Sequence, residues 1–455
     1  MMYFKFLLFS VLISILITAS DPFFGTEISF KPIPKDLDQD VIEKTWMSTD
    51  AFLPYLTDKD NKVSDIFIVN PYYYPTVHFW FLIYTQFEST SIVIHDKNNL
   101  SLIYKVLDFS SLKKKGLSKN TLYILQQKIS AEKLKDLKAS LYHLSKEPFS
   151  LSLSSKKIYR ILKNSKISLP MGKKDRSEFF ARLHDNIRTQ TGQKNFIRDG
   201  IIRSLPYQKF LTDYFEKKQL PTELLAIPFL ESSFNPKAQS KVNALGIWQF
   251  MPLISTYYVP KRTNHFDYRF NVGVASVAAG FLMSENIQIM KSWDLAVTAY
   301  NSGTKHLLKT RRELGRKKVT LEEVIAHSDS QHFGFASKNF YSEFLALAHT
   351  LAYRDELFDD LHESDRSDVD KNIRFFLTKC PLKLKKELTS TQLDDVYFHN
   401  HHTAHDQDKV PRGFILISKS VLPAGKFFEI PKSLLLRTKP KEWEKTLKRY
   451  SCSTR

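Results

Sequence analysis

The sequence predicts a mainly α-helical chain, with a helical or α/β N-terminal accessory region (21–175) and a small α+β module at the C-terminal end (366–455). Three observations predict it. Apolar residues recur at helical spacing through most of the chain, as in Leu134, Leu137, Leu141 and Leu144. A β-branched run, Ser91-Ile-Val-Ile94, stands apart as a strand, and the patterning changes after about residue 370. At roughly 100–200 residues per domain, 455 residues call for two to four folded units.

Composition narrows the function classes before any motif does. Hydrophobic residues at 42% and charged ones at 25% exclude wholesale disorder, collagen-like repeats and a polytopic membrane protein. Glycine is scarce, 13 residues in 455 against a usual share of about 7%. Glycine-rich phosphate loops, and with them nucleotide chemistry, are disfavoured. The 67 Lys and Arg exceed the 48 Asp and Glu by 19, so an anionic partner is expected. Nucleic acid, an anionic membrane and a carboxylate-rich cell wall would all answer to that field.

The elements follow in order. In Met1–Ser20, Lys5 is the only charge, an apolar run extends from Phe6 to Ile17, and small residues Thr18, Ala19 and Ser20 close it. This is the pattern of a cleaved secretory signal, with the apolar core short of the ~20 residues a spanning helix needs. The expectation is a periplasmic or secreted protein, without membrane insertion after cleavage and without a nucleic-acid partner. Cys380 and Cys452 are the only cysteines; neither follows the apolar run to carry a lipid, and an oxidising compartment would allow them to pair. Residues 21–57 read as a loose lead-in. Val77, Trp80, Phe81 and Tyr84 form a helical stripe, and His95-Asp96, which could be a catalytic pair, reads better as a turn after the strand. The leucine-striped helix then runs to Pro148, its lysines on the wet face. From Asp175 to Phe215 another amphipathic segment puts Phe179, Phe180, Leu183 and Ile187 on one face.

Chemistry concentrates in the next stretch. In LPTELLAIPFLESSFN, Pro221 suits a first helical turn and Asn235-Pro236 ends the element, which sets Glu231 in the last turn of an apolar helix. Partial desolvation beside Phe229 and Leu230, and the negative end of the helix dipole, both favour the protonated carboxyl. A proton-bearing glutamate is a general acid, as glycosidic cleavage requires at the leaving oxygen. Downstream come Gly246-Ile-Trp-Gln-Phe-Met-Pro252 and Thr298-Ala-Tyr-Asn-Ser-Gly303.

These three segments, in this order, resemble those of the family 1 lytic transglycosylases, most closely their membrane-bound D branch. The resemblance is strong from about Ile187 to Ala352 and implies a goose-type-lysozyme-like catalytic domain over 176–365. It implies cleavage of the β-1,4 bond between N-acetylmuramic acid and N-acetylglucosamine in peptidoglycan glycan strands, without water and without a cofactor, by a monomer. Glu231 would be both acid and base. Ser232 and Gln249 would bond the sugar, Tyr300 would hold Glu231 and the substrate in register, and Asn301 belongs to the same motif. Gly246 would permit close backbone approach, Met251 would line the cleft, and Trp248 would either stack on a sugar or fill the core. The family's Glu-Thr-x-x-Tyr helix is matched only by Phe333-Gly-Phe-Ala-Ser-Lys-Asn-Phe-Tyr341, which makes Tyr341 the candidate tyrosine. Asp267, Glu285 and Asp294 are acids that could serve a second role, leaving a hydrolytic muramidase open as the alternative; a wall-binding protein with an idle site is another. His399, His401, His402 and His405 fit no zinc ligand spacing, so no metal is expected. The stretch from Leu382 to Pro431 faintly resembles the wall-binding LysM repeats that relatives carry there.

Overall fold

The structure, a computed structural model, describes residues 41–44, 51–262, 267–316, 318–327, 333–359, 361, 374–378, 388–390, 393, 400, 414–417 and 427–447. Residues 1–20, expected to be a signal, both cysteines and the four histidines from 399 to 405 lie outside them. The chain divides into two compact units, one holding Ile68–Phe196 and the described part of 16–62, the other Val63–Phe67 and the chain from Ile197 on.

The first unit is built on an antiparallel sheet of β1 (Ile42–Glu43), β2 (Ser91–Asp96), β3 (Ile103–Asp108) and β4 (Ile187–Thr191), in the order β1-β3-β2-β4. Helix α1 (Tyr74–Thr85) carries the predicted aromatic stripe, and its residues are buried almost all round. Helices α2 (Lys119–Lys146), α3 (Leu153–Asn164) and α4 (Lys173–Asn186) share one core with alternate residues of β2, including Ile92 and Ile94. Leu141 and Leu144 of the predicted stripe are fully buried there, each contributing roughly 1.5–3 kcal/mol of transfer free energy. His95 takes the opposite face, its ring 4.5 Å from that of Phe79 in α1.

Two expectations change here. His95 and Asp96 are the last residues of β2, fully buried, and the turn begins only beyond them, where Asp96 Oδ1 accepts the Asn98 and Asn99 amides at 2.8 Å. Burial lowers the His95 pKa to about 4, and its Nδ1 lies 3.0 Å from the Asp96 backbone carbonyl rather than the carboxylate, so the dipeptide is no catalytic pair. The segment from Asp175 also divides: α4 packs against α2 and runs directly into β4, which pairs with β2. Phe180 and Leu183 are therefore core of the first unit, and the chain leaves that unit at Phe196 rather than at 175.

The second unit is mainly helical. Helices α5 (Lys194–Ser204) and α6 (Gln208–Lys217) lead to a 3-10 turn, Thr222–Ala226, and the short α7 (Ile227–Ser232). After a looped stretch come α8 (Pro252–Tyr258), α9 (Val272–Met290), α10 (Trp293–Ser302), α11 (Thr304–Glu313), α12 (Leu321–His327) and α13 (Phe335–Ala352). Helix α9 is long and apolar enough to cross a membrane by composition, yet its apolarity has a local cause: it is capped by the Asn271 side chain and packs against α6 and α10. Phe340, Phe344 and Leu347, at helical spacing along α13, are buried against α7 and α10, and Leu351 at its end is partly buried. The C-terminal part contains β5 (Arg374–Thr378), paired antiparallel with both β6 (Phe414–Ile417) and β7 (Phe427–Glu429), followed by α14 (Lys432–Arg437).

Candidate active site

Helix α7 sets the position of Glu231. It starts from the 3-10 turn, carries Pro228 in its first turn and stops at Ser232, because Ser233 and Phe234 both take left-handed conformations at φ 50° and 54°. That stop comes three residues before the predicted break at Asn235. The freed carbonyls of Ser233 and Phe234 accept from the Arg203 guanidinium at 2.6 and 3.3 Å, so α5 caps α7 from outside. Ile227, Pro228 and Phe229 are buried, and Glu231 is half-buried in the last turn of the helix.

Its carboxyl makes no hydrogen bond or ion pair with the described residues. Desolvation pushes its pKa up to about 8, in the direction the apolar helix end predicts. The acid consequently holds its proton at neutral pH.

The three motifs are joined through two backbone carbonyls. The Ser232 hydroxyl lies 3.0 Å from Ile247 O and 3.1 Å from Pro228 O as donor, and accepts the Asn235 amide. The Tyr300 hydroxyl, brought by α10, donates to Trp248 O at 2.6 Å. Burial first, and then the Glu231 charge, raise the Tyr300 pKa well above its ordinary value, so the hydroxyl remains a donor across the working range. Replacing Tyr300 with phenylalanine is expected to leave the Trp248 carbonyl unpaired at a cost of about 1–3 kcal/mol, measured by urea unfolding.

The turn between these carbonyls depends on Gly246, whose φ is +73° and where a Cβ would meet Arg269 O at 1.9 Å. Gly246 does permit close backbone approach, but to Arg269. Gln249 also sits in the left-handed region, φ 46°; its Nε2 donates to Gly246 O at 2.8 Å, and its Oε1 takes no hydrogen bond from the described residues. The Arg269 guanidinium bonds Asn243 O at 2.9 Å and Phe250 O at 3.3 Å, and pairs with both oxygens of Asp267. Met251, part-exposed, is the N-cap of α8.

Other expected site residues have different work. Trp248 is fully buried, its ring 6.0 Å from and parallel to Phe215, its indole N–H donating to Ser276 Oγ at 2.8 Å. Of the two roles open to it, it fills the core. The buried Ser232 hydroxyl is committed to backbone partners and ties motifs together instead of binding sugar. Asn301 accepts from Ser337 at 2.9 Å, fastening α10 to α13. Tyr341 is buried against Phe344, and the charges acting on its hydroxyl are those of Asp294 and Glu322. The structure thus draws Glu231, Tyr300 and the 246–251 turn together, and leaves Tyr341 among other partners.

Comparison with known proteins follows the same residues: residues 214–321 match the family described as transglycosylase SLT domain. This part of the chain is an SLT domain. The membrane-bound lytic murein transglycosylase D of Escherichia coli (strain K12) is 36% identical over 132 residues, 28% of this chain and 29% of that protein. A putative tributyltin chloride resistance protein of Alteromonas sp. (strain M-1) is 31% identical over 116 residues, 25% of this chain and 56% of that protein. The chain therefore spans less than a third of the length of the first of these relatives and just over half of the second.

Within the SLT domain, two acids considered for a second role are already engaged. Asp267 holds Arg269, while Glu285 accepts from Tyr258 at 2.5 Å and pairs with Lys439 at 2.5 Å. Burial alone would raise Glu285, but those two donors hold its carboxyl below the usual range. Sequence reasoning missed Arg203, outside the SLT match, and Arg269 within it. Neither stands in a motif, and no local signal separates them from the other basic residues of a chain carrying 67.

Proposed function

We propose that the chain is a peptidoglycan lytic transglycosylase of the cell envelope, cleaving the bond between N-acetylmuramic acid C1 and the O4 of N-acetylglucosamine and leaving a 1,6-anhydro end. The observation that carries this reading is Glu231 beside Tyr300 at the meeting of the three motifs, desolvated and with no hydrogen-bond or ion-pair partner among the described residues. Glu231 gives its proton to the departing O4 as the C1–O4 bond breaks. The resulting carboxylate then takes the proton of the muramic acid C6 hydroxyl as O6 bonds to C1, which returns the acid to its starting state. One carboxyl suffices for the cycle. Hydrolysis with inversion would need a second carboxylate to activate water, and retention a nucleophile about 5 Å away. The commitment of Asp267 to Arg269, and of Glu285 to Tyr258 and Lys439, supports the single-carboxyl route. The excess of basic residues suits a carboxylate-rich wall.

Digestion of purified sacculi, with mass analysis of the released fragments, tests the reading. Anhydro-muramic ends are expected. Reducing ends would replace it with a muramidase, and an unaltered sacculus with a binding protein.

A further inference from the structure

One end of the first unit is apolar where a water-facing surface should be polar. Leu151, Leu153 and Met171 are 70%, 81% and 89% exposed, and Phe149 is 50% exposed. They come from separate parts of the chain: the connection from α2 to α3, the first residue of α3, and the residues before α4. Side-chain bonds gather them. The Tyr159 hydroxyl donates to Pro148 O at 2.9 Å, Arg176 Nε donates to Pro170 O at 2.7 Å, and the Arg176 guanidinium lies 4.5 Å over the Phe149 ring. The C-terminal end of α2 and the N-terminal ends of α3 and α4 therefore meet, with the four apolar side chains at their tip.

Charge around this tip has one prevailing sign. Lys146, Lys156, Lys157, Lys173 and Lys174 are exposed on the flanking helical turns, against Glu147 and Asp175. Large side chains exposed in a group mark a contact surface, and a surrounding collar of lysines selects what it contacts. A protein groove would have to match the collar with many acids. A bilayer with anionic headgroups meets both demands at once, since the lysines attract the headgroups while Phe149, Leu151, Leu153 and Met171 enter the acyl boundary.

We propose that the tip formed by Phe149, Leu151, Leu153 and Met171 is a membrane-docking site that binds the surface of an anionic lipid bilayer. Docking is peripheral: four side chains enter the interface, and no element spans it. This goes beyond glycan cleavage and does not depend on it.

A reporter at the tip separates this contact from any other the full chain makes. The Leu153→Trp chain, with the wild-type spectrum subtracted, should show blue-shifted emission on vesicles containing phosphatidylglycerol, quenching by brominated acyl chains, and weak response to phosphatidylcholine alone. Replacing Leu151, Leu153 and Met171 together with serine should weaken co-sedimentation with the phosphatidylglycerol vesicles by at least about tenfold, leaving the far-ultraviolet circular dichroism spectrum and the thermal melt of the chain unchanged. An indole that reports water in the presence of every vesicle overturns the proposal. So does unaltered binding by the serine variant, or a wild-type dimer that the serine variant converts to monomer, which would make the tip a protein interface.

Discussion

Glu231→Gln is expected to abolish glycan cleavage while making the folded chain more resistant to unfolding at alkaline pH. Glutamine has nearly the same shape but no proton to give, so the C1–O4 bond has no acid and cleavage should fall by several orders of magnitude while sacculus binding persists. The stability effect has the opposite sign. Desolvation holds the folded-state pKa near 8, above an unfolded value near 4.5. Between those values the unfolded chain has released the proton and the folded chain still holds it, so raising pH favours unfolding throughout the interval. The ceiling on that penalty is about 5 kcal/mol above pH 8, and because the residue is half-buried a working figure is roughly 2–4 kcal/mol. Glutamine removes the penalty: thermal melts of the two chains should coincide near pH 4 and diverge at pH 9, the variant melting higher. On the proposed mechanism the same proton limits cleavage, whose alkaline limb should fall as pH rises through about 8. Persistent cleavage by the variant would move the acid elsewhere, and identical melts at pH 9 would deny that Glu231 is desolvated.

Gly246→Ala should be the most damaging small substitution in the domain. Alanine in the left-handed region costs about 1–2 kcal/mol by itself. Here its methyl would also be driven to 1.9 Å from Arg269 O, so either the 246–249 turn or the Arg269 backbone must move. Both belong to one clamp, because the Arg269 guanidinium holds the carbonyls of Asn243 and Phe250 on either side of that turn. A total of about 3–5 kcal/mol is expected from denaturant melts, with loss of cleavage, since Ile247 O and Trp248 O anchor Ser232 and Tyr300. Gly315→Ala is the control. Its φ of +65° is likewise positive, but no atom lies within 4 Å of the added methyl, so it should cost only the backbone share. Equal penalties for the two variants would show that contact with Arg269 contributes nothing.

Much of this site was legible because its signals are local. The end of an apolar helix predicts a poorly solvated Glu231, and the carboxyl is shifted upward as that reasoning requires. Periodicity likewise identified α1 and α2, since a helix with a buried face repeats its apolar residues whatever it packs against. It served less well where one residue type suits two settings. Trp248 stands in a motif and has a ring suited to sugar, yet Phe215 and Ser276, 33 and 28 residues away, decide that it is core. Ser232 follows the acid directly, and only the presence of the Ile247 carbonyl shows that its hydroxyl is already used. The same holds for Asp267, an acid on the page and a partner of Arg269 in the fold.

Residue order and side-chain chemistry alone determined the helical class, the three segments, the acid at 231 and the basic character of the chain. The tertiary structure decided which carbonyls bind those segments together, which acids are spent on ion pairs, and where a group of apolar side chains is left facing outward. The physical reason is range. Helix periodicity and backbone conformation are set by neighbours a few positions apart, whereas desolvation, hydrogen-bond pairing and exposure depend on groups that meet only after tens of residues of chain have been folded between them.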